Sequence, residues 1–199
     1  MIGKDRMDPA TMSRLVDTIL STGKRIERIV RGMKTLAHSG GEDEPCVPTS
    51  LREMITDACE LCEQRMRNHN IKLEIPEIDQ SLYLVCRSHE IVQVLVNLLN
   101  NAFDAVVNRT ERWVKIEAAP AGDRMEISVT DSGTGIPLEV QAKLFEPFFS
   151  TKRVQYGTGL GLSISRSIVE KHQGQLLYDG DRGNTRFVIR LPLPSAKRK

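Results

Sequence analysis

The sequence predicts an α/β sandwich, a mixed sheet with its helices on one face, preceded by one long helix. Three observations carry that class. Apolar residues from Met12 to Ala37 recur at heptad spacing. Past Ser50 the apolar patterns run helix, strands, helix, hairpin, loop, helix, hairpin, an order that suits helices packed on one face of a mixed sheet. From Asp131 to Leu162 regular periodicity yields to glycines and a proline-bounded short helix, the composition of a long functional loop region.

Composition sets wide bounds. A chain of 199 residues holds one ordinary domain, or one domain with an appendage. Hydrophobic residues at 40% suffice for a core, and charged residues at 27% suit a soluble protein. A formal charge of +2 makes no whole-chain case for nucleic acid, and Lys197-Arg198-Lys199 is only a short basic tail. No apolar run approaches the roughly 18 residues of a membrane span, and no secretory h-region opens the chain. A cytoplasmic location is expected, with no membrane segment in this chain. Cys59 and Cys62 form a Cys-x-x-Cys pair, but inside an amphipathic helix with no second ligand pair, so they read as small buried hydrophobes.

The first helix is expected over 12–37. Met12, Ile19, Ile26 and Met33 form one row, and Leu15/Val16, Ile29/Val30 and Leu36/Ala37 a second, interrupted at Thr22 and Gly23. Such a helix cannot bury its stripe alone. Its cover is the following domain, a partner helix or a second copy of the chain. Ser39 to Pro45 ends it, and 41–50 reads as a linker. Ser50 with Glu53 is a capping-box signal for a helix over 51–68. Ile71–Ile75 and Leu82–Cys86 are short strands, and Ser88 is placed to cap a helix over 89–108. Trp113–Ala119 and Met125–Thr130 alternate around Ala121-Gly122-Asp123, a hairpin signal. A short helix over Leu138–Phe145 follows, then one over Leu160–His172, stopped near Gly174 by a left-handed residue. Strands Gln175–Tyr178 and Arg186–Leu191 close the chain, joined by a turn over 179–184.

Three stretches carry chemistry. In the helix over 89–108, Val94, Leu95, Leu98, Leu99, Ala102 and Ala105 make an apolar stripe, while Asn97, Asn101 and Asp104 share another face. Asparagine is a poor interior helix residue because its amide competes for backbone hydrogen bonds. These side chains serve either chemistry or neighbouring loops. Asp131-Ser132-Gly133-Thr134-Gly135-Ile136 leaves a strand; its carboxylate can accept hydrogen bonds, and its glycines let a ligand approach the backbone. Gly157-Thr158-Gly159-Leu160-Gly161-Leu162-Ser163 runs into a helix, which makes it either an anion site at a helix N-terminus or a flexible hinge. It lacks the Walker spacing and the dinucleotide fingerprint.

Taken in order, these stretches resemble the ATP-binding domain of sensor histidine kinases, within the group that includes gyrase, Hsp90 and MutL ATPases. The resemblance covers about Val47 to Pro194. Asn97-Leu98-Leu99-Asn100-Asn101-Ala102 is similar to the N box, and Asp131-Ser132-Gly133-Thr134-Gly135 to the first glycine box. Phe145-Glu146-Pro147-Phe148-Phe149-Ser150-Thr151-Lys152 resembles the F box, and Gly157-Thr158-Gly159-Leu160-Gly161 the second glycine box.

The resemblance implies a Bergerat-type α/β sandwich with ATP and Mg2+ as cofactors. Asn101 would be the magnesium ligand, and Asn97 would support the phosphates or orient the site. Asp131 would accept from the adenine amino group, and Gly133, Gly135 and Ile136 would line the adenine pocket. Gly157, Thr158, Gly159, Leu160, Gly161 and Leu162 would wrap the triphosphate as a lid. Lys152 would be the lid cation near the γ-phosphate, or a solvated loop charge like Arg153. Asp104 stands where many relatives carry a basic residue, so it would orient a water near magnesium or bond to the lid. Hydrolysing relatives carry a glutamate where this chain has Asn97, and an amide is no general base at neutral pH. That favours phosphoryl transfer over free hydrolysis.

Arg25 to Met33 resembles the second helix of the kinase dimerisation hairpin, so 1–40 is expected to be a partial dimerisation and phosphotransfer helix, with 51–194 the ATP-binding domain and 195–199 a basic tail. The implied partners are the acceptor-histidine helix of the full-length protein, a response-regulator receiver domain, and a second copy through 12–37. The acceptor helix is not in these residues: His38 lies at the wrong end of the wrong helix, and His89-Glu90 lacks the acceptor motif's following Asn-Pro. Arg87-Ser88 also departs from the Gly-Asp of many relatives. The chain alone is therefore expected not to phosphorylate itself. The competing readings are a nucleotide-binding dimerisation module without catalysis, and a serine kinase of the anti-sigma type, against which the heptad helix argues.

Overall fold

The computed structural model describes residues 8, 11–16, 18–20, 22, 23, 26, 30, 44–75, 77–151, 158–180 and 183–194. Residues 11–16, 18–20, 22, 23, 26 and 30 are helical. Met12, Leu15, Val16, Ile19, Ile26 and Val30 are all exposed, so the heptad stripe has no cover among the described residues. Met33, Leu36, Ala37, His38 and the linker residues 39–43 lie outside them.

The sheet elements come in two groups. Strand β1 (Val47–Ser50) pairs antiparallel with β3 (Tyr83–Cys86) in a sheet of their own, with Val47 opposite Cys86 and Ser50 opposite Tyr83. The expected linker over 41–50 thus ends in a strand; four residues containing a proline show no alternation, and the partner that orders them lies 33 or more residues away along the chain. The main sheet has the order β2-β4-β5-β7-β6, from β2 (Lys72–Glu74), β4 (Trp113–Ala121), β5 (Arg124–Asp131), β6 (Gln175–Asp179) and β7 (Thr185–Pro192). Only β2 and β4 are parallel, so the sheet is mixed, as expected.

Helix α1 (Leu51–Asn68) starts where the capping box places it, with Ser50 Oγ accepting the Glu53 N–H at 3.3 Å. Its buried stripe includes Cys59 and Cys62; burial pushes the Cys59 thiol up to about 12 and raises that of Cys62. Helix α2 (Ser88–Val106) carries the asparagines. Its buried residues Ile91, Val94, Leu95, Leu98, Leu99, Ala102, Phe103 and Val106 widen the expected stripe, whereas Ala105 is exposed. Ser88 is its first helical residue and not its cap. Arg87 occupies the cap position and supplies no side-chain acceptor to the first-turn N–H groups. The proline-bounded helix α3 is a single turn, Leu138–Gln141, because Lys143 and Leu144 already bond three residues back, to Val140 and Gln141.

Helix α4 (Gly161–Lys171) ends as expected near Gly174, but the left-handed residue is Gln173, at φ 57°. Gly174 is needed for room: a Cβ there would stand 2.5 Å from the Arg190 carbonyl oxygen. Helix α2 lies between α1 and α4 and covers β4 and β5, while α4 covers β6 and β7. Val114, Ile116, Met125, Ile127, Val129, Leu176, Phe187, Ile189 and Leu191 fill the helix-facing side of the sheet. The other face carries the ion pairs Lys115–Glu117, Arg190–Glu126 and Arg186–Asp179. Helices on one face and paired charges on the other make the two-layer sandwich.

Candidate active site

Two groups of residues, one at the end of β5 and one where α2 meets α4, hold the expected site residues. Asp131 is the last residue of β5 and is 3% exposed. Its Oδ1 accepts the Gly133 N–H at 2.7 Å, and Thr185, its partner across the sheet on β7, adds a side-chain hydrogen bond. Burial pushes the carboxyl up to about 6; the Gly133 and Thr185 bonds and the more distant Arg109 pull the other way. Gly133 is obligatory here, since a Cβ would meet Asp131 Oδ1 at 2.5 Å and Thr185 Oγ1 at 2.7 Å.

The wall beside Asp131 is held by side chains from other elements. Asn184 Nδ2 donates to the Gly133 carbonyl at 3.0 Å, and Ser132 Oγ donates to the Glu111 carbonyl at 2.8 Å. Ile136 is held from both sides: its N–H donates to the Tyr178 hydroxyl at 2.8 Å, and its carbonyl accepts from Gln141 Nε2 at 2.7 Å. Gly135 takes φ +81°, a conformation that favours glycine, with the Tyr178 hydroxyl beside it.

At the other end, Asn97 and Asn101 stand one turn apart on α2. Asn97 Nδ2 donates to Ser165 Oγ at 2.9 Å, and Gly161 lies so near the same amide that a Cβ would be 2.4 Å from Asn97 Oδ1. Asn101 is half-buried on this side. The second glycine stretch meets the F-box stretch here. Gly159, at φ +68°, packs on the backbone of Phe148, itself at φ 65°, and a Cβ would be 2.4 Å from the Phe148 carbonyl carbon. Leu160 is buried, Thr158 and Leu162 are half-buried, and the cap position of α4 is Leu160, whose side chain offers the first-turn N–H groups no acceptor.

Asp104 is placed differently. Its Oδ1 accepts from Arg65 Nη2 of α1 at 3.2 Å, and the same guanidinium donates to Asn100 Oδ1 at 2.7 Å and stacks 3.8 Å from the Phe103 ring. That engagement belongs to the α1–α2 contact. Lys152 and Gly157 lie outside the described residues.

Among the described residues, no three His, Cys, Asp or Glu side chains converge as a metal shell. The donor set suits a magnesium ion that arrives on phosphates, which takes one or two protein oxygens and keeps water and phosphate as its other ligands; the Asn101 amide oxygen is of that kind. The residue types also suit a nucleotide: a buried carboxylate can accept from an amino group, and glycines at a helix start can meet phosphate. Tyr178, Gln141, Thr185, Asn184 and Ser165 are additions to the expected set. All but Gln141, five residues beyond Ile136, come from distant parts of the chain, and only the β5–β7 register, which puts Thr185 opposite Asp131, would have pointed to one of them.

Comparison with known proteins gives the same answer. The family described as histidine kinase-, DNA gyrase B-, and HSP90-like ATPase matches residues 86–195, more than half of the chain. The sensor protein FixL of Bradyrhizobium diazoefficiens is 35% identical over 93% of this chain and 37% of its own length. Sporulation kinase E of Bacillus subtilis is 32% identical over 89% of this chain and 23% of its own. The chain thus spans well under half the length of these curated relatives. Among solved structures, the catalytic domain of histidine kinase ThkA superposes with a TM-score of 0.67 at 32% identity, over 75% of this chain and 97% of that one. ThkA in complex with the response regulator protein TrrA gives 0.77 at 30% identity, over 98% of this chain and 55% of that one. With its fold, its four motifs and these matches in agreement, the chain belongs to the histidine kinase-, DNA gyrase B- and HSP90-like ATPase family and within it to the catalytic domains of sensor histidine kinases.

Proposed function

We propose that this chain binds Mg-ATP and directs its γ-phosphate to a histidine on the acceptor helix of the full-length protein, for relay to an aspartate of a response-regulator receiver domain. The observation that carries the reading is the contrast between the two ends of the site: a buried carboxylate at Asp131, and neutral amides at Asn97 and Asn101. Asp131 accepts from the adenine amino group, and Gly133, Gly135 and Ile136 shape the adenine wall, stiffened by Tyr178 and Gln141. Asn101 holds the magnesium ion, which when bound neutralises phosphate charge as the γ-phosphoryl group leaves. Thr158, Gly159, Leu160, Gly161 and Leu162, with Gly157, bring backbone N–H groups to the phosphates, and Lys152 adds a cation from the lid.

Asn97 has a different task. Its amide joins α2 to Ser165 and Gly161 of α4, which keeps the magnesium ligand and the phosphate-binding turn in one frame. Since an amide takes no proton from water at neutral pH, water is not activated there, and the phosphoryl group leaves for an incoming imidazole. Residues 12–37, whose described apolar side chains Met12, Leu15, Val16, Ile19, Ile26 and Val30 are exposed, serve dimerisation, and 51–194 form the catalytic unit in a cytoplasmic setting. No described helix is long and apolar enough to cross a membrane.

Calorimetric titration tests the site. Mg-dependent ATP binding is expected for the wild type, with the magnesium-dependent part of the affinity lost in Asn101→Ala. Equal affinity of the variant and the wild type, with and without magnesium, would remove Asn101 from its role.

A further inference from the structure

Helices α2 and α4 are joined at two points, and only one belongs to the nucleotide site. At the site end Asn97 Nδ2 bonds to Ser165 Oγ. At the far end His172, the residue that ends α4, reaches the start of α2. Its Nε2 accepts the Arg87 backbone N–H at 3.1 Å, and its Nδ1 stands 2.8 Å from the Ile168 carbonyl oxygen. The His172 side chain is 1% exposed.

These contacts select a ring tautomer. A carbonyl oxygen only accepts and a backbone N–H only donates, so the ring carries its proton on Nδ1 and keeps the Nε2 lone pair. A cationic ring would set one N–H against another. The nearby charges are Glu90, whose Oε2 is 3.7 Å from Nε2, and Arg87, whose Nε holds that same carboxylate at 2.9 Å. Arg87 is the cap residue of α2, and its N–H is one of the donors that a helix start leaves unpaired. His172 is the acceptor it finds.

From Arg87 to Asn97 the helix runs ~15 Å as a stiff rod. A slip of its start against α4 therefore moves Asn97 and Asn101 against the glycine-rich start of α4 by a similar amount. We propose that His172 is a positioning residue for the phosphate end of the site, and that its neutral Nδ1–H form holds α2 in register with α4. The inference rests on the reading of Asn101 and Gly159 to Leu162 as the phosphate end. The adenine end hangs on β5, β6 and β7, through Asp131, Tyr178 and Thr185, and does not share this dependence.

The test titrates the 199-residue chain and its H172A, H172N and H172Q variants with Mg-ATP and with adenosine, and reads the His172 ring nitrogens by 15N NMR in the wild type. The expected spectrum is the Nδ1–H tautomer. H172A and H172N should bind Mg-ATP about three- to tenfold more weakly, the range for one lost hydrogen bond, with adenosine affinity unchanged. H172Q, whose amide oxygen reaches the Nε2 position, should regain the Mg-ATP affinity; H172N and H172Q carry the comparison should H172A fail to fold. A parallel loss of both ligands, no loss of either, rescue by H172N in place of H172Q, or an Nε2–H ring would each overturn the proposal. A wild type that binds Mg-ATP no better than adenosine would instead defeat the phosphate-end reading itself, and the wild-type titration alone reveals that case.

Discussion

Replacing Asp131 by asparagine should stabilise the empty domain at neutral pH while it weakens the nucleotide site. The carboxyl is 3% exposed and burial raises it from 3.8 to about 6. In the folded chain it therefore holds its proton to higher pH than in the unfolded chain. Its contribution to stability is complete below pH 3.8 and is lost as pH rises through about 6. Each tenfold difference in proton affinity between the folded and unfolded chain is worth about 1.4 kcal/mol, so that loss amounts to about 3 kcal/mol by pH 7.5. An asparagine keeps an acceptor for the Gly133 N–H but carries no charge to desolvate. The stability of D131N minus that of the wild type should then climb by about 2.5 kcal/mol from pH 4 to pH 7.5. Urea unfolding of both proteins across this range gives the difference directly, and titrations common to both cancel. A difference that stays flat with pH, or that falls, refutes the reasoning. If Asp131 accepts from the adenine amino group as proposed, the same substitution exchanges a charged acceptor for a neutral one, and ATP affinity at pH 7.5 should drop by about tenfold or more. Wild-type affinity should weaken as pH falls below about 6, where the carboxylate becomes protonated.

Other outcomes follow from the same geometry. Gly159→Ala places a Cβ 2.4 Å from the Phe148 carbonyl carbon at φ +68°, so it should cost about 1–3 kcal/mol of stability in urea unfolding; a neutral effect would mean that Phe148 and Gly159 are not packed together. Gly161→Ala drives a Cβ against Asn97 Oδ1 and should reduce Mg-ATP affinity more than adenosine affinity, measured by titration. The chain alone should form no acid-labile phosphohistidine with Mg-ATP, and mass spectrometry that finds one on His38 or His89 would contradict the reading of both.

What the sequence discloses depends on how local the cause is. The α1 start was legible because Ser50 and Glu53 are three residues apart and bond directly. The α2 stripe was legible because burial follows the helical period, with an error at Ala105, where the period alone does not tell which edge of the stripe the sheet covers. Gln173 takes the left-handed turn, and the glycine at 174 serves a different need: the Arg190 carbonyl, brought in by β7, claims the space where a side chain at 174 would go. Strand β1 and the Arg87 cap were not legible for the same reason: their partners, β3 and His172, come from elsewhere in the chain. In the candidate site, residues such as Asp131, Gly133, Asn97 and Gly161 are readable because each stands in a motif whose residue types and order are restricted. Tyr178, Gln141, Thr185 and Ser165 hold those residues in place, and ordinary residue types in ordinary strands and helices carry no such mark.

The central claim is that this site passes phosphate to a histidine instead of releasing it to water. The most direct measurement supplies the acceptor-histidine helix of the full-length protein in trans, with labelled Mg-ATP, and follows both acid-labile phosphate on that helix and free phosphate. Label on the acceptor histidine that depends on Asn101, with little free phosphate, is the predicted result. ATP that binds but never labels the helix, or that is turned over to free phosphate, would contradict it.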